Sequence, residues 1–242
     1  MTDTIAWISG ASSGIGAALA ATVPFEDAHI IDISRSGGSG ASEHVPADLA
    51  DPSAWAAVGA HFRARLDAFD GSRALFVHSA GMLDPIGFAG EVDDTLYTTN
   101  VLLNSAAPQV LGHHFLRAVD ESGFGGRADI VMLTSGAAKN PYPGWSSYSA
   151  GKAAVDAWVV AAGEEREARG GRVRVVAIGP GTVATPMQAA IRATPIEDFP
   201  RRAKFIELHE TGSLAEPADA ARTIWGMLDD LPNGAVTDVR HA

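Results

Sequence analysis

TIAWISGASSGIGAALAATV, residues 4–23, changes character twice within a short span. Its first part, TIAWIS (4–9), is apolar and β-prone; SGASSGIG (9–16) is glycine-rich; IGAALAATV has the composition of a helix. A buried strand, a tight turn and a helix in that order open a strand–helix–strand fold. Gly10, Gly14 and Gly16 stand where the backbone must turn sharply and let a phosphate approach. Amides at the following helix start, helped by the helix dipole, would face that anion. The spacing is G-x-x-x-G-x-G and not the more familiar G-x-G-x-x-G, so the loop gains its meaning from its strand–turn–helix setting.

The pattern repeats along the chain. AHIIDIS (28–34), RALFVHSA (73–80), DIVMLTS (129–135) and RVRVVAIG (172–179) read as strands apolar on both faces, with weaker ones at EHVPA (43–47) and AVTDV (235–239). Strands of that kind suit a parallel sheet covered on both sides. PSAWAAVGAHFRARLDAF, YSAGKAAVDAWVVAAGEEREA and PADAARTIWGMLDDL, the last with Pro217 near its start, read as helices. Residues 93–121 predict two helices parted near Pro108. The expected architecture is α/β, a doubly wound parallel sheet with helices on both faces, in one domain over 1–242. GPGTVATPMQAAIRATPIEDFP (179–200), with four prolines, is the least regular stretch. It would lie over the carboxyl ends of the strands, where such sheets bind ligands, so a substrate lid over 184–212 is expected in preference to a plain surface loop.

Composition narrows the partners. The 242 residues are 46% apolar, enough for a sizeable core, and carry a net charge of -11 from dispersed acids. Nucleic-acid binding wants clustered Lys and Arg, so it is not expected. The absence of cysteine excludes disulfides and thiolate chemistry and fits a cytoplasmic protein. The N-terminus has no basic segment leading into an apolar one, and no apolar run is long enough to cross a bilayer. His113 and His114 are adjacent and point apart on a helix, with no third ligand at a useful spacing, so no metal is expected.

SSYSAGKAAVDAW (146–158) carries the chemistry. Tyr148 and Lys152, four apart, share a helix face with Cβ atoms about 5–6 Å apart. A free phenol titrates near about 10, and a neighbouring ammonium favours the phenolate and lowers that value. The phenol could then give a proton to a carbonyl oxygen or take one from an alcohol. Alone, the pair also fits an ordinary helix surface; its position argues for chemistry, because this helix follows the strand that ends in Ser135. Asn100, a polar residue inside YTTNVLLN, reads as a helix-surface or capping residue, or as the holder of a water linking Lys152 to solvent.

A serine hydrolase is the rival from another class. Gly10 to Gly14 also satisfies G-x-S-x-G with Ser12 as nucleophile, and Asp229 and His241 follow in chain order. Only one strand precedes Ser12, leaving no earlier loop for an oxyanion amide, and His241 is the penultimate residue. Ser149-x-x-Lys152 imitates a serine β-lactamase signature, but its companion S-D-N and K-T-G motifs are absent. A cofactor-sensing or scaffold protein is the non-enzyme alternative.

SGASSGIG, Asn100-Val101, Ser135, Tyr148-x-x-x-Lys152 and PGTVAT (180–185), in this order and spacing along the whole chain, resemble the short-chain dehydrogenase/reductase family. That resemblance implies a Rossmann-type domain, a nicotinamide dinucleotide and the catalytic set Asn100, Ser135, Tyr148 and Lys152. Tyr148 would be the acid/base, Lys152 would also bind the nicotinamide ribose, Ser135 would orient the substrate oxygen, and Asn100 would maintain a proton relay. It assigns the dinucleotide to Gly10, Ser12, Ser13, Gly14, Ile15 and Gly16, to Asp48 and Leu49, to Ser79, Ala80 and Gly81, and to Pro180, Gly181, Val183 and Thr185. Ser9 replaces the family's usual threonine, a mild change that keeps the hydroxyl; Ser79 replaces its asparagine, which puts the tie between neighbouring strands in doubt more than activity. Homodimers or homotetramers are implied, through helices within 93–121 and 146–169.

The end of the second strand, HIIDISRSGG, decides the cofactor. An Asp there binds the free ribose hydroxyls of NAD, an Arg the extra phosphate of NADP. Asp32 falls within the apolar run, too early to reach a ribose, whereas Arg35 follows the strand between Ser34 and Ser36. NADP(H) is therefore expected over NAD(H). NPYPGWSSYSAGKAA further resembles the sepiapterin reductase and benzil reductase branch, which implies reduction of a ketone or vicinal diketone; an NAD-dependent secondary-alcohol dehydrogenase is the alternative. Trp145 reads equally as pocket wall or packing, and Met187 as a substrate contact. No Arg or Lys is visibly committed to an acid, so a small neutral carbonyl or alcohol substrate is expected.

Overall fold

Strand β1 (Thr4–Ser9) is buried along its whole length, and the computed structural model, which describes residues 2–241, is built outward from it. It pairs in parallel with β2 (Ala28–Ser34) on one side and β4 (Arg73–His78) on the other. With β3 (Glu43–Pro46), β5 (Arg127–Leu133), β6 (Val173–Gly179) and β7 (Val236–Asp238), the order across the sheet is β3-β2-β1-β4-β5-β6-β7, all parallel. The order reverses between β1 and β4. A crevice therefore opens there, at the carboxyl ends of the strands.

Side chains alternate across a strand, and both faces of β1 are apolar. Ile5 and Trp7 point into one layer with Ile31, Phe76 and Ile130, covered by α2 (Trp55–Asp67) and α4 (Ala107–Glu121). Trp7 is fully buried, edge-on to Phe62 and Phe115, and donates its indole N–H to His61 Nδ1 at 3.1 Å. Ala6 and Ile8 point into the other layer, against α1 (Gly14–Ala21) and α8 (Pro217–Met227).

The sequence predicts two helices parted near Pro108, but α3 (Asp94–Val101) runs on through a single π-turn, Leu102–Ala106, into α4. Pro108 has no N–H to give to the carbonyl four residues earlier, and the wider turn absorbs that defect without a break. The stretch expected to be irregular is also more ordered than its prolines suggest. Pro186 starts α6 (Pro186–Ala193), and α7 (Arg202–Glu210) follows. A proline in the first turn loses no intrahelical bond. Helix α5 (Ser146–Ala168) begins beside this segment.

At the amino edge of the sheet, fully buried Asp129 is met by Arg73 at 3.3 Å, Arg127 at 3.2 Å and Arg174 at 2.9 Å. Asp229 closes this network on Arg73 and Arg127. The residues of chemical interest gather at the opposite edge.

Candidate active site

Gly10 and Gly14 take positive φ values of 72° and 54°, a region that favours glycine. The loop thereby turns directly from β1 into α1. Ser13, at the N-cap of α1, makes no side-chain hydrogen bond to the first turn, which leaves those N–H groups uncapped by protein. A side chain on Gly14 would meet nothing nearer than Thr185 Cγ2 at 3.6 Å, so the space in front of these amides is open and roofed by the 180–185 loop. Uncapped amides, an open cradle and a helix start suit a pyrophosphate.

Asp32 is fully buried, as its place in the apolar run suggested, and its partners are now evident. It accepts from Ala11 N at 3.2 Å and from Ser34 Oγ at 2.8 Å; Ser34 Oγ in turn accepts from Gly37 N at 3.1 Å. This chain of bonds ties the glycine loop to the loop after β2. Ser34 was expected to stand with Arg35 as a phosphate contact, but its hydroxyl is turned inward and engaged. Arg35 and Ser36 are exposed at the rim. Asp48 is exposed and accepts from Ala50 N at 3.0 Å, while Leu49 beside it is buried.

The serine in place of threonine at position 9 supplies the tie that Ser79 was expected to weaken. Ser9 Oγ accepts from Ser79 N and Ala80 N, both at 3.1 Å, and lies 3.1 Å from His78 Nδ1. With two N–H groups on its lone pairs, the hydroxyl gives its proton to Nδ1. His78 is then neutral with its proton on Nε2, consistent with burial and the charge of Lys152 pushing it down to about 3. Its Nε2 finds no partner among the described residues.

Ser135, Tyr148 and Lys152 come together above β5. Ser135 stands two residues beyond the end of β5, and its Oγ accepts from Ala137 N at 3.2 Å. Tyr148 is nearly buried, and burial raises its phenol above the ordinary value, opposed by the Ser135 hydroxyl. The lysine was expected to lower it. Instead, the Lys152 ammonium donates to Leu133 O at 2.8 Å and stands 5.8 Å from the phenol ring centre, so desolvation dominates. Lys152 itself is pushed down to about 8 by burial, with Asp156 one turn further along α5 pulling the other way.

Asn100 is fully buried, and its amide is engaged by protein at both ends. Nδ2 donates to Asp84 O at 2.8 Å, and Oδ1 accepts from Asn104 Nδ2 at 2.9 Å. Its side chain thus holds the 82–84 loop. Asn104, on the π-turn, donates to Met82 O at 2.7 Å and accepts from Met82 N at 3.1 Å. Gly151 lets α5 close on this turn: a Cβ there would come within 2.9 Å of Asn104 Cβ. That approach brings Lys152 Nζ within 3.8 Å of where a Cβ on Gly81 would be, with Asn104 Oδ1 at 3.0 Å from the same point.

Trp145 is buried and stacked on Phe199 at 4.5 Å with ring planes 3° apart, and lies edge-on to Tyr148 at 5.9 Å. Met187, Ile86 and Tyr142 border the same aromatic cluster, which joins α5 to the 186–210 segment. That segment is pinned at its base by a bridge between Val183 and Ala215, and Gln188 donates to Phe205 O at 3.1 Å. Pro180 and Gly181 follow β6, with Gly181 against Val239. The hydrolase residues do not assemble: Ser12 is exposed at the carboxyl edge, and Asp229 is bound to arginines at the amino edge. No group of three or more potential metal ligands occurs among the described residues, and no helix is long and apolar enough to cross a membrane.

Sequence reasoning missed Asn104, Asp156 and the His78–Ser9 contact. The first two carried a faint signal, a polar residue four positions after Asn100 and Lys152 respectively, inside otherwise apolar helical runs.

The family model described as short chain dehydrogenase matches residues 4–196. A Bacillus subtilis protein named benzil reductase ((S)-benzoin forming) is 32% identical over 238 residues, covering 97% of each chain. The sepiapterin reductase of Mus musculus is 33% identical over 172 residues, covering 69% of this chain and 63% of its own. Among solved structures, the KRED1-Pglu enzyme superposes with a TM-score of 0.80 at 24% identity, covering 96% of this chain and 99% of that one. The chain belongs to the short-chain dehydrogenase/reductase family, and is an oxidoreductase of nicotinamide dinucleotides acting on alcohol and carbonyl groups.

Proposed function

We propose that the protein reduces a ketone or vicinal diketone to the alcohol, with NADPH as the preferred cofactor. The observation that carries this is the convergence of Ser135, Tyr148 and Lys152 on the carboxyl edge, beside an open glycine cradle. Similarity along the whole chain to a protein named benzil reductase supports the diketone. Exposed Arg35 at the rim, with Asp32 engaged inside the sheet, supports the extra phosphate of NADPH.

The dinucleotide, when bound, supplies the hydride to the carbonyl carbon. Gly10, Ser12, Ser13, Gly14, Ile15 and Gly16 hold its phosphates, Asp48 and Leu49 its adenine side, and Ser79 to Gly81 with Pro180, Gly181, Val183 and Thr185 flank its nicotinamide end. Ser135 donates to the substrate oxygen and fixes its position. Tyr148 gives its proton to that oxygen as charge develops there. A phenol whose titration is raised by burial is protonated at neutral pH, the donor form that reduction needs. The Lys152 ammonium, anchored on Leu133 O, binds the nicotinamide ribose, and the Ser135 hydroxyl steadies the phenolate left behind. Asn100 and Asn104 act through position, by fixing the 82–84 loop and the π-turn against Lys152. The 184–212 segment serves as the substrate lid, with Met187 on its inner side. Leu96, Val101 and Val160 are exposed apolar residues on α3–α4 and α5, which supports a homodimer or homotetramer through those helices.

Fluorescence titration with NADPH and NADH, followed by NADPH oxidation with benzil, tests the reading. Tighter NADPH binding and turnover lost in Tyr148→Phe with cofactor binding kept are the expected results. Unchanged turnover in that variant refutes the role of the hydroxyl.

A further inference from the structure

A cavity of about 360 Å³ lies beside the site, lined by Gly136, Asn140, Pro141, Tyr142, Arg201, Lys204 and Arg240. Three of its seven lining residues are cations and none is an Asp or Glu, in a chain whose net charge is -11. We propose that this cavity receives a carboxylate carried by the carbonyl substrate, which makes the natural substrate a keto acid and not the neutral compound expected from sequence.

The position fits. Gly136 directly follows Ser135, and Arg240 Nη2 lies 3.4 Å from where a Cβ on Gly136 would be, so the cavity shares a wall with the reacting centre. Tyr142 forms the other wall; it packs on Trp145 at 4.9 Å, and Trp145 on Tyr148 at 5.9 Å. Two ring contacts, Tyr142 on Trp145 and Trp145 on Tyr148, connect the cavity wall to the phenol.

The donors fit as well. Asp238 engages Arg240 through Nε at 2.7 Å and Nη2 at 2.7 Å, which fixes the guanidinium and leaves Nη1 unengaged. Lys204 donates one N–H to Tyr142 Oη at 2.8 Å and keeps two. Arg201 forms no ion pair among the described residues, so its whole fork is available. With Asp238 balancing Arg240, the cavity keeps an excess of two positive charges. A planar carboxylate is the acceptor such forks match. The volume sits at the small end of ligand cavities, about 300–1,000 Å³, which suits the acid end of a small molecule.

This assignment rests on the carbonyl-reductase reading above, and the test separates the two. NADPH oxidation is followed with benzil, with the γ-keto acid benzoylpropionate and with its methyl ester. The acid is expected to exceed the ester in kcat/KM by about tenfold, the order of one charge-assisted hydrogen bond, chiefly through KM, and less so at high salt. In Arg201→Gln/Lys204→Gln the acid's KM should rise about tenfold with kcat held, and the preference over the ester should vanish. Turnover of benzil with acid and ester equal in the wild type, or an acid preference that survives the double substitution, overturns the carboxylate site alone. No turnover of any of the three overturns the reductase reading and this assignment with it.

Discussion

Ser9→Ala deletes one oxygen and disturbs three bonds. Ser79 N and Ala80 N, both part-buried, each lose their acceptor, and buried His78 Nδ1 loses its donor, around a Ser9 that is itself fully buried. A buried polar group left unpaired costs about 1–3 kcal/mol. The imidazole can move its proton between nitrogens, and the removed hydroxyl no longer has to be desolvated, so the two amides dominate. The expected loss is about 2–4 kcal/mol, a large part of the roughly 5–15 kcal/mol that holds a folded protein together. Urea unfolding followed by fluorescence should show a lower midpoint at unchanged slope. Ser9→Thr, which keeps the oxygen, should lose less than half as much. The same variants bear on function, because Ser9 places Ser79 and Ala80 at the crevice; Ser9→Ala should also weaken dinucleotide binding. A loss below about 0.5 kcal/mol for Ser9→Ala would refute the hub, since it would mean the amides find other partners freely.

Four further outcomes are expected. Asp156→Asn removes the charge that holds Lys152 up against burial, so Lys152 should lose its proton below its present value of about 8. The alkaline limb of kcat/KM then moves to lower pH, and a limb that stays put or moves up counts against the coupling. Arg35→Ala should weaken NADPH binding about tenfold or more while leaving NADH nearly untouched, as read by fluorescence titration; equal losses would remove Arg35 from cofactor choice. Phe199→Ala empties the stack under Trp145 and should cost about 3–5 kcal/mol, with benzil KM raised if the 184–212 segment is a lid. His78 titrates at about 3 when folded against 6.5 as a free side chain, so the unfolded chain binds more protons between those values. Stability should fall as pH drops from 6.5 towards 3, with a shallower fall in His78→Asn.

Much of this was legible before folding, for identifiable reasons. AHIIDIS and RALFVHSA are apolar on both faces because both faces are covered, and the glycines of SGASSGIG announce a turn that no other residue accommodates. Tyr148 and Lys152 are linked by helix geometry alone. What escaped depends on contacts between distant segments or on burial. Pro108 suggested a break because the π-turn that absorbs it has no sequence mark. The titration of Tyr148 was expected to fall because spacing reveals the neighbouring charge but not the loss of water around the ring. Arg201 and Lys204 are far in sequence from Arg240 until α7 and the residues after β7 bring all three to the cavity at Tyr142.

The inward commitment of Asp32 has an evolutionary consequence. The acid that braces the glycine loop and the residue proposed to meet the ribose edge are different side chains, one sealed in the sheet and the other exposed at the rim. Position 35 is therefore able to drift under selection without weakening the scaffold, and a lineage can exchange one dinucleotide for the other by mutation at a place where folding imposes no toll. Enzymes that use one acid for both tasks have no such latitude: every change of coenzyme is also a change of stability.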